Sequence, residues 1–393
     1  MSKLAINGGT PAVEGKFPPW PIWDETELRA VEDVVRSGEW ERRGGGRVDE
    51  FERKFAELQH AGFAIACANG SVAIEVVLEA LGVGEGDEVI VPGYTFMATA
   101  AATARRGAKV VIVDVDPYTF CIDPAAIEAA VTKRTRCIIP VHFGGHPCDM
   151  DRIMALAAEH NLDVVEDCAH AHGARWRGRD VGTFGCAGTF SFQASKTLPC
   201  GEGGAVVGND EELMARCRSI HDAGRAVGQS VYDHYLAGTN YRMGEFQAAI
   251  LLAQMTRLED QCNRRDTNGR LLTELLTKID GIKPQSRAEG LTRHGHYLFT
   301  FVLEADVSRE SFKRALAAEG VPLQLEYPAI HRLDFVRARG EGGISLPVSE
   351  RLAERSVWLY HEALLGTGNQ VRQIADAIKK VLDARDELAK IEL

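Results

Sequence analysis

The chain has 393 residues, 45% apolar and 26% charged, too long for one ordinary core and balanced like a water-soluble protein of two packed domains. Its formal net charge of −11 excludes nucleic acid and anionic membrane as main partners, because both would be repelled. Nine cysteines, an odd number without a CxxC pair, exclude zinc-ribbon and thioredoxin motifs and fit a reducing compartment.

The start, residues 1–9, lacks the long apolar region of a signal peptide. No run of about 18 apolar residues follows, so the expected location is cytoplasmic. From residue 62 to 210 short apolar runs alternate with amphipathic stretches. The runs at 63–68, 88–91, 109–113, 137–141, 163–166, 189–192 and 205–207 are mostly rich in Val and Ile and bounded by Gly, Asp or Pro. That is the pattern of strands buried on both faces. Between them, 72–81 and 151–160 read as helices, the second stopped by Asn161. Such alternation predicts a mostly parallel α/β sheet. After Gly208, helices are expected at 210–220 and 245–265, then a strand at 297–303, a helix at 308–319 and a charged helix from 371 onward. These elements divide the chain into an N-terminal arm with a large domain, 1–260, and a smaller α+β domain, 261–393.

Three strand ends carry polar residues where open α/β sheets bind ligands. Asn69-Gly70-Ser71 follows the first strand and opens a helix. Free amides there, with a glycine allowing close approach, suit a phosphate, although an ordinary N-cap uses the same residues. Glu166-Asp167-Cys168-Ala169-His170-Ala171-His172 closes a buried strand. A carboxylate in that place needs a cation, and a protonated pyridine nitrogen would serve. Four histidines, His142, His146, His170 and His172, crowd this region, but their spacing matches no known ligand pattern and no metal is expected. Finally, Lys196 follows an apolar strand and precedes a Gly-rich stretch ending at Gly204. A lysine so placed can be desolvated and lose basicity, as a Schiff-base lysine requires. No Walker spacing surrounds it, and Gly82, Gly84 and Gly86 precede a strand rather than follow one, against a dinucleotide fingerprint.

In this order the pieces resemble the DegT/DnrJ/EryC1/StrS family of fold-type-I aminotransferases that use pyridoxal 5′-phosphate (PLP). The resemblance runs from Gly8-Gly9-Thr10-Pro11 to the last helix. Its most specific motifs are Pro92-Gly93-Tyr94-Thr95-Phe96, residues 166–174, residues 190–204 and residues 240–249, Asn240-Tyr241-Arg242-Met243-Gly244-Glu245-Phe246-Gln247-Ala248-Ala249. It implies a seven-stranded, mostly parallel sheet in the large domain and a role for each matching residue. Lys196 would bond the cofactor and shuttle a proton. Asp167 would pair with the pyridine nitrogen, and His170, where the family often has Gln, would contact the phenolic oxygen. Phe96 would stack on the ring, and Gly70, Ser71 and Ser191 would hold the phosphate. Asn240 would reach the phosphate of a second subunit, making the site shared in a homodimer. The related sugar dehydratases carry His where Lys196 stands, which favours amino transfer over deoxygenation.

Residues 170–174, 190–193 and 357–361 look most like the branch of 3-amino-5-hydroxybenzoate synthases and glutamine:scyllo-inosose aminotransferases. The branch implies L-glutamine or L-glutamate as donor, a keto-cyclitol or keto-sugar as acceptor, and ping-pong kinetics. A nucleotide-linked keto-sugar, a dehydratase or isomerase, and a non-catalytic PLP-binding regulator are the alternatives. Arg225, His294, His296, Tyr327 and His331 sit in polar, loop-like stretches and are candidate substrate contacts, with a solvated surface role as the competing reading. Trp20, Trp23 and Trp40 would line the pocket mouth or dock the arm.

Overall fold

The computed structural model describes residues 3–388 except 227, 229 and 231. In chain order the strands are β1 (Phe63–Cys67), β2 (Glu88–Pro92), β3 (Lys109–Val113), β4 (Thr135–Ile138), β5 (Asp163–Asp167), β6 (Arg175–Trp176), β7 (Arg179–Asp180), β8 (Ala187–Ser191) and β9 (Gly204–Gly208). β10 (Ile282–Pro284), β11 (Leu291–Arg293), β12 (Leu298–Leu303), β13 (Leu323–Gln324) and β14 (Ser356–Tyr360) follow. A seven-stranded sheet runs β1-β9-β8-β5-β4-β2-β3, and only β9 is reversed within it.

Each apolar run from 62 to 210 is a strand of this sheet. Alternate side chains pack on opposite faces, as a period of two requires. Ile65 and Cys67 enter one core while Ala64 and Ala66 enter another, and Val89 and Val91 oppose Ile90 in the same way. The run expected at 137–141 starts earlier and ends at Ile138. Pro140 has no amide to donate to a ladder, and its carbonyl instead accepts from the Asp167 amide at 2.9 Å.

The helices that flank the sheet begin where their caps are. In α1 (Glu25–Ser37) Asp24 and Glu27 form a capping box. α2 (Arg47–Leu58) lays Phe51 and Phe55 edge-on against Phe192 and Phe190 at 5.1–5.4 Å. α3 (Gly70–Ala80) is capped by the Asn69 side chain, which accepts from the Val72 amide at 3.0 Å. α4 (Ala98–Arg105) follows β2. Asn161 ends Met150–His160 in the left-handed conformation, φ 53°, which Asn tolerates.

The single helix expected at 245–265 is instead two, Glu245–Met255 and Leu258–Leu276. The break turns Gln254 and Arg257 onto the start of α1: Gln254 donates to the Ile22 carbonyl and to Glu27 at 2.8 Å each, and Arg257 pairs with Glu27 and, at 2.9 Å, with Asp24. The helix expected from 371 starts three residues earlier, at Gly368, because Thr367 and Gln370 form a capping box at its start, and it ends at Asp383 before a short helix, Arg385–Leu388.

β10, β12, β14 and β13 form a second sheet behind residue 280. Residue 260 lies inside the helix Leu258–Leu276, whose Leu258 and Cys262 pack with the large sheet while Leu272 and Leu276 pack in the second core. Leu4 and Val13 also enter that second core. The start of the arm, which the sequence groups with the large domain, therefore rests on the small one. The buried Glu319 ties it there by accepting the Ala5 and Ala12 amides at 2.8 Å each.

Candidate active site

The C-terminal ends of β1, β5 and β8 open onto one cleft of about 730 Å³. Its lining includes Gly70, Ser71, Phe96, Asp167, His170, Ser191, Lys196 and Tyr327, so eight of the expected residues meet there. The other five do not line it.

Lys196 is 9% exposed, and burial pushes its ammonium down to about 8 against the pull of Asp167. Its Nζ lies 4.1 Å from the centre of the Tyr297 ring. Asp167 is buried at the end of β5. Its Oδ2 accepts from Thr99 Oγ1 at 2.8 Å and its Oδ1 from the Ala169 amide at 3.1 Å. Burial raises its pKa above the usual carboxylate value, and those two donors together with Lys196 oppose the rise. A carboxylate in this condition gains from a cation brought alongside it.

His170 is held neutral, chiefly by burial and then by Lys196. Its Nδ1 accepts from the Gly144 amide at 3.4 Å, so the ring proton sits on Nε2, 3.4 Å from the Tyr327 hydroxyl. At the start of α3, a Cβ added to Gly70 would stand 2.7 Å from the Ser191 Cβ. Only glycine lets this helix start lie against β8, and the first-turn amides beside it have no intrahelical partner. Phe96 is 48% exposed at the cleft wall and packs on Tyr327 with centroids 5.5 Å apart.

His294 and His296, expected on polar loops facing a substrate, are buried elsewhere. Their rings stack at 3.8 Å, His294 Nε2 donates to Gln285 Oε1 at 3.2 Å, and desolvation pushes His296 down to about 3. His331 is also buried, with Nε2 on Glu350 at 2.9 Å. The correction for all three has one cause: polar neighbours in sequence become internal partners once the small domain folds back. Arg225 lies against Asp222 at 3.4 Å. Asn240 bridges to Asp222 beside the Tyr241 carbonyl, which accepts the Ala68 amide at 2.8 Å. Trp20 docks the arm by donating from Nε1 to the Ala194 carbonyl at 3.1 Å, while Trp23 and Trp40 are largely exposed and do not line the cleft.

Residues the sequence did not single out complete the cleft. Thr99 reaches Asp167 from α4, Gln193 and Ser195 shape the loop before Lys196, and Tyr297 enters from the small domain. Arg105 pairs with Glu75 at 2.8 Å at the rim. Gln193 and Ser195 lie within the 190–204 motif without standing out in it, and only proximity in the fold reveals Thr99, Tyr297 and Arg105.

Among the described residues, one group of three has metal-ligand spacing, His142, Glu166 and Cys168. Glu166 there accepts the amides of Gly182, Phe184 and Gly185 at 2.6–2.8 Å and the proton on His142 Nε2 at 3.0 Å. His142 Nδ1 accepts the Cys148 amide at 3.0 Å. These donors surround the carboxylate as an anion and occupy the lone pairs a cation would need.

A softened buried amine, a buried carboxylate that gains from a cation and a glycine-built helix start suited to a phosphate fit one cofactor, PLP. The molecule is a PLP-dependent aminotransferase. The model of the DegT/DnrJ/EryC1/StrS aminotransferase family matches residues 21–379, and the chain belongs to that family. It is 40% identical to the L-glutamine:2-deoxy-scyllo-inosose aminotransferase of Micromonospora echinospora, covering 99% of this chain and 100% of that protein. It is 38% identical to the L-glutamine:scyllo-inosose aminotransferase of Streptomyces griseus, covering 99% and 100%. The crystal structure of 3-amino-5-hydroxybenzoic acid synthase superposes with a TM-score of 0.88 at 37% identity, over 94% of this chain and 99% of that one. No described helix is long and apolar enough to cross a membrane.

Proposed function

We propose that the chain transfers the amino group of L-glutamine to the ketone of a cyclitol in two half-reactions, with the cofactor carried on Lys196. The observation that carries this reading is the convergence of Lys196, Asp167 and the Gly70–Ser71 helix start in one cleft. The substrates follow the relatives, two of which are named for glutamine and an inosose. Bound there, PLP supplies an electron sink that lets the α-proton of an amino acid be removed.

Each side chain then has a task. Lys196 removes that proton as the free amine, which its value of about 8 keeps available near neutral pH. Asp167, steadied by Thr99 and Ala169, keeps the ring nitrogen protonated. His170, with its proton on Nε2, would hold the phenolic oxygen, and Phe96 would hold the ring from the cleft wall. The amides of Gly70 and Ser71, with the Ser191 hydroxyl, hold the phosphate. Tyr327, beside His170, contacts the substrate. Asn240 serves the phosphate of a second copy, so the working form is a homodimer, acting in the cytoplasm.

The test is to follow visible absorbance of the PLP-loaded protein through both halves. L-Glutamine alone should bleach the band and release its keto acid, and scyllo-inosose or its 2-deoxy form should restore it. If no amino acid bleaches the band, the transfer reading fails. If glutamine bleaches it and neither cyclitol restores it, the acceptor assignment fails.

A further inference from the structure

Tyr297 is buried where the small domain meets the cleft, and neither of its two basic neighbours is an ordinary partner for a phenol. Lys196 Nζ sits over its ring at 4.1 Å. The His170 ring lies on it at 4.4 Å with planes 29° apart. Among the described residues, Nζ makes no ion pair or hydrogen bond, and the ring face is in direct contact with it.

The tyrosine is held in this pose from both ends. Ser195 Oγ donates to Gln193 Oε1 at 2.7 Å, so at 3.0 Å the Tyr297 hydroxyl donates to Ser195 Oγ. On the backbone side, His296 adopts a left-handed φ of 44°, uncommon for a non-glycine residue. Its ring lies so close to Gly269 that a Cβ there would be 2.2 Å from Nε2, and its amide so close to Gly145 that a Cβ there would be 2.4 Å away. Two glycines and the stacked His294–His296 pair thus fix the residue just before Tyr297.

We infer that Tyr297 sets the basicity of Lys196, its ring face stabilising the ammonium that forms whenever the lysine takes up a proton. The inference rests on Lys196 being the proton-carrying group proposed above. The other groups around the lysine push in opposite senses. Asp167 at the end of β5 favours the ammonium, while burial opposes it. The imidazoles of His170, His172 and His361 are neutral, and the Tyr327 phenol is un-ionised. A cation over an aromatic face within about 6 Å is stabilised, most strongly when desolvated. Without the face, Lys196 should lose a proton at lower pH and become the weaker base.

The experiment measures the lysine directly. The full chain, freed of cofactor, is labelled with acetic anhydride across a pH series, and acetylation at Lys196 is quantified by mass spectrometry. Tyr297→Phe should keep the wild-type midpoint, while Tyr297→Leu should lower it by about one pH unit. If Tyr297→Leu does not fold, fluorinated phenylalanines at 297 replace it, since fluorine drains the ring face with little change of shape. The midpoint should then fall stepwise with each fluorine. A midpoint unmoved in Tyr297→Leu, or indifferent to fluorination, overturns the inference. Failure of the wild-type chain to take up PLP on Lys196 would instead refute the reading beneath it, and the two outcomes are read from separate measurements.

Discussion

Replacing Thr99 by valine removes one hydroxyl and leaves the shape of the side chain. Thr99 is 1% exposed and Asp167 5% exposed, so water cannot take the place of the 2.8 Å hydrogen bond between them. A hydrogen bond to a buried charge contributes about 1.5–3 kcal/mol, and here it acts on the ionised carboxylate alone. At about 1.4 kcal/mol per pH unit, Asp167 should become harder to ionise by about one to two units, on top of the rise burial already causes. The ring nitrogen then has a weaker counter-ion, and PLP affinity should fall by roughly 10- to 100-fold. The sign with pH follows. Asp167 is ionised above its midpoint, so the defect grows as pH falls and shrinks as pH rises past the new midpoint. Equilibrium titration of the cofactor-free chain with PLP, at pH 6 and at pH 8.5, measures it, with Thr99→Ser as the control that keeps the hydroxyl. Wild-type affinity in a folded Thr99→Val, or an equal loss in Thr99→Ser, would refute the reasoning.

Gly70→Ala should weaken PLP binding at least tenfold while the chain stays folded, because the new methyl meets the Ser191 Cβ at 2.7 Å and pushes the phosphate cradle off β8; the same titration checks it. Glu166→Gln should lower the thermal midpoint markedly, at a cost of about 3 kcal/mol or more. It sets an amide among four donors that need an anion, and calorimetry reads the loss. Acid should destabilise the fold well before the carboxylates titrate. His172 and His296 are held down to about 3 by burial, and His170, His294 and His361 are also well below 6.5. Between about pH 6.5 and 3 the unfolded chain binds more protons, so stability falls as pH falls, by up to about 1.4 kcal/mol per unit for each imidazole. Urea midpoints at pH 7.5 and 5.5 should differ clearly; equal midpoints would mean the rings are solvated.

The large sheet was legible because strands buried on both faces cannot hide: Val89-Ile90-Val91 must be apolar on each side. Asp167 stood out for the opposite reason, as a charge at the end of such a strand, and Lys196 as one in the loop that follows another. Thr99 and Tyr297 did not, because a threonine in a helix and a tyrosine before a strand look ordinary until the chain folds. His294 and His296 misled in the other direction. A left-handed turn at His296 and the close approach of Gly269 bury them, and no local pattern announces either. The break after Met255 was equally invisible, since Thr256 and Arg257 are compatible with a helix and only their contacts with Ile22, Asp24 and Glu27 explain it.

The central claim is that one lysine, Lys196, carries the cofactor. Reducing the PLP-loaded protein with sodium borohydride fixes the cofactor to whichever amine holds it, and peptide mapping by mass spectrometry then locates it. The account predicts a single phosphopyridoxyl group on the peptide containing Lys196, and none in Lys196→Ala. The label on a different lysine, or a visible cofactor band surviving in Lys196→Ala, would contradict it.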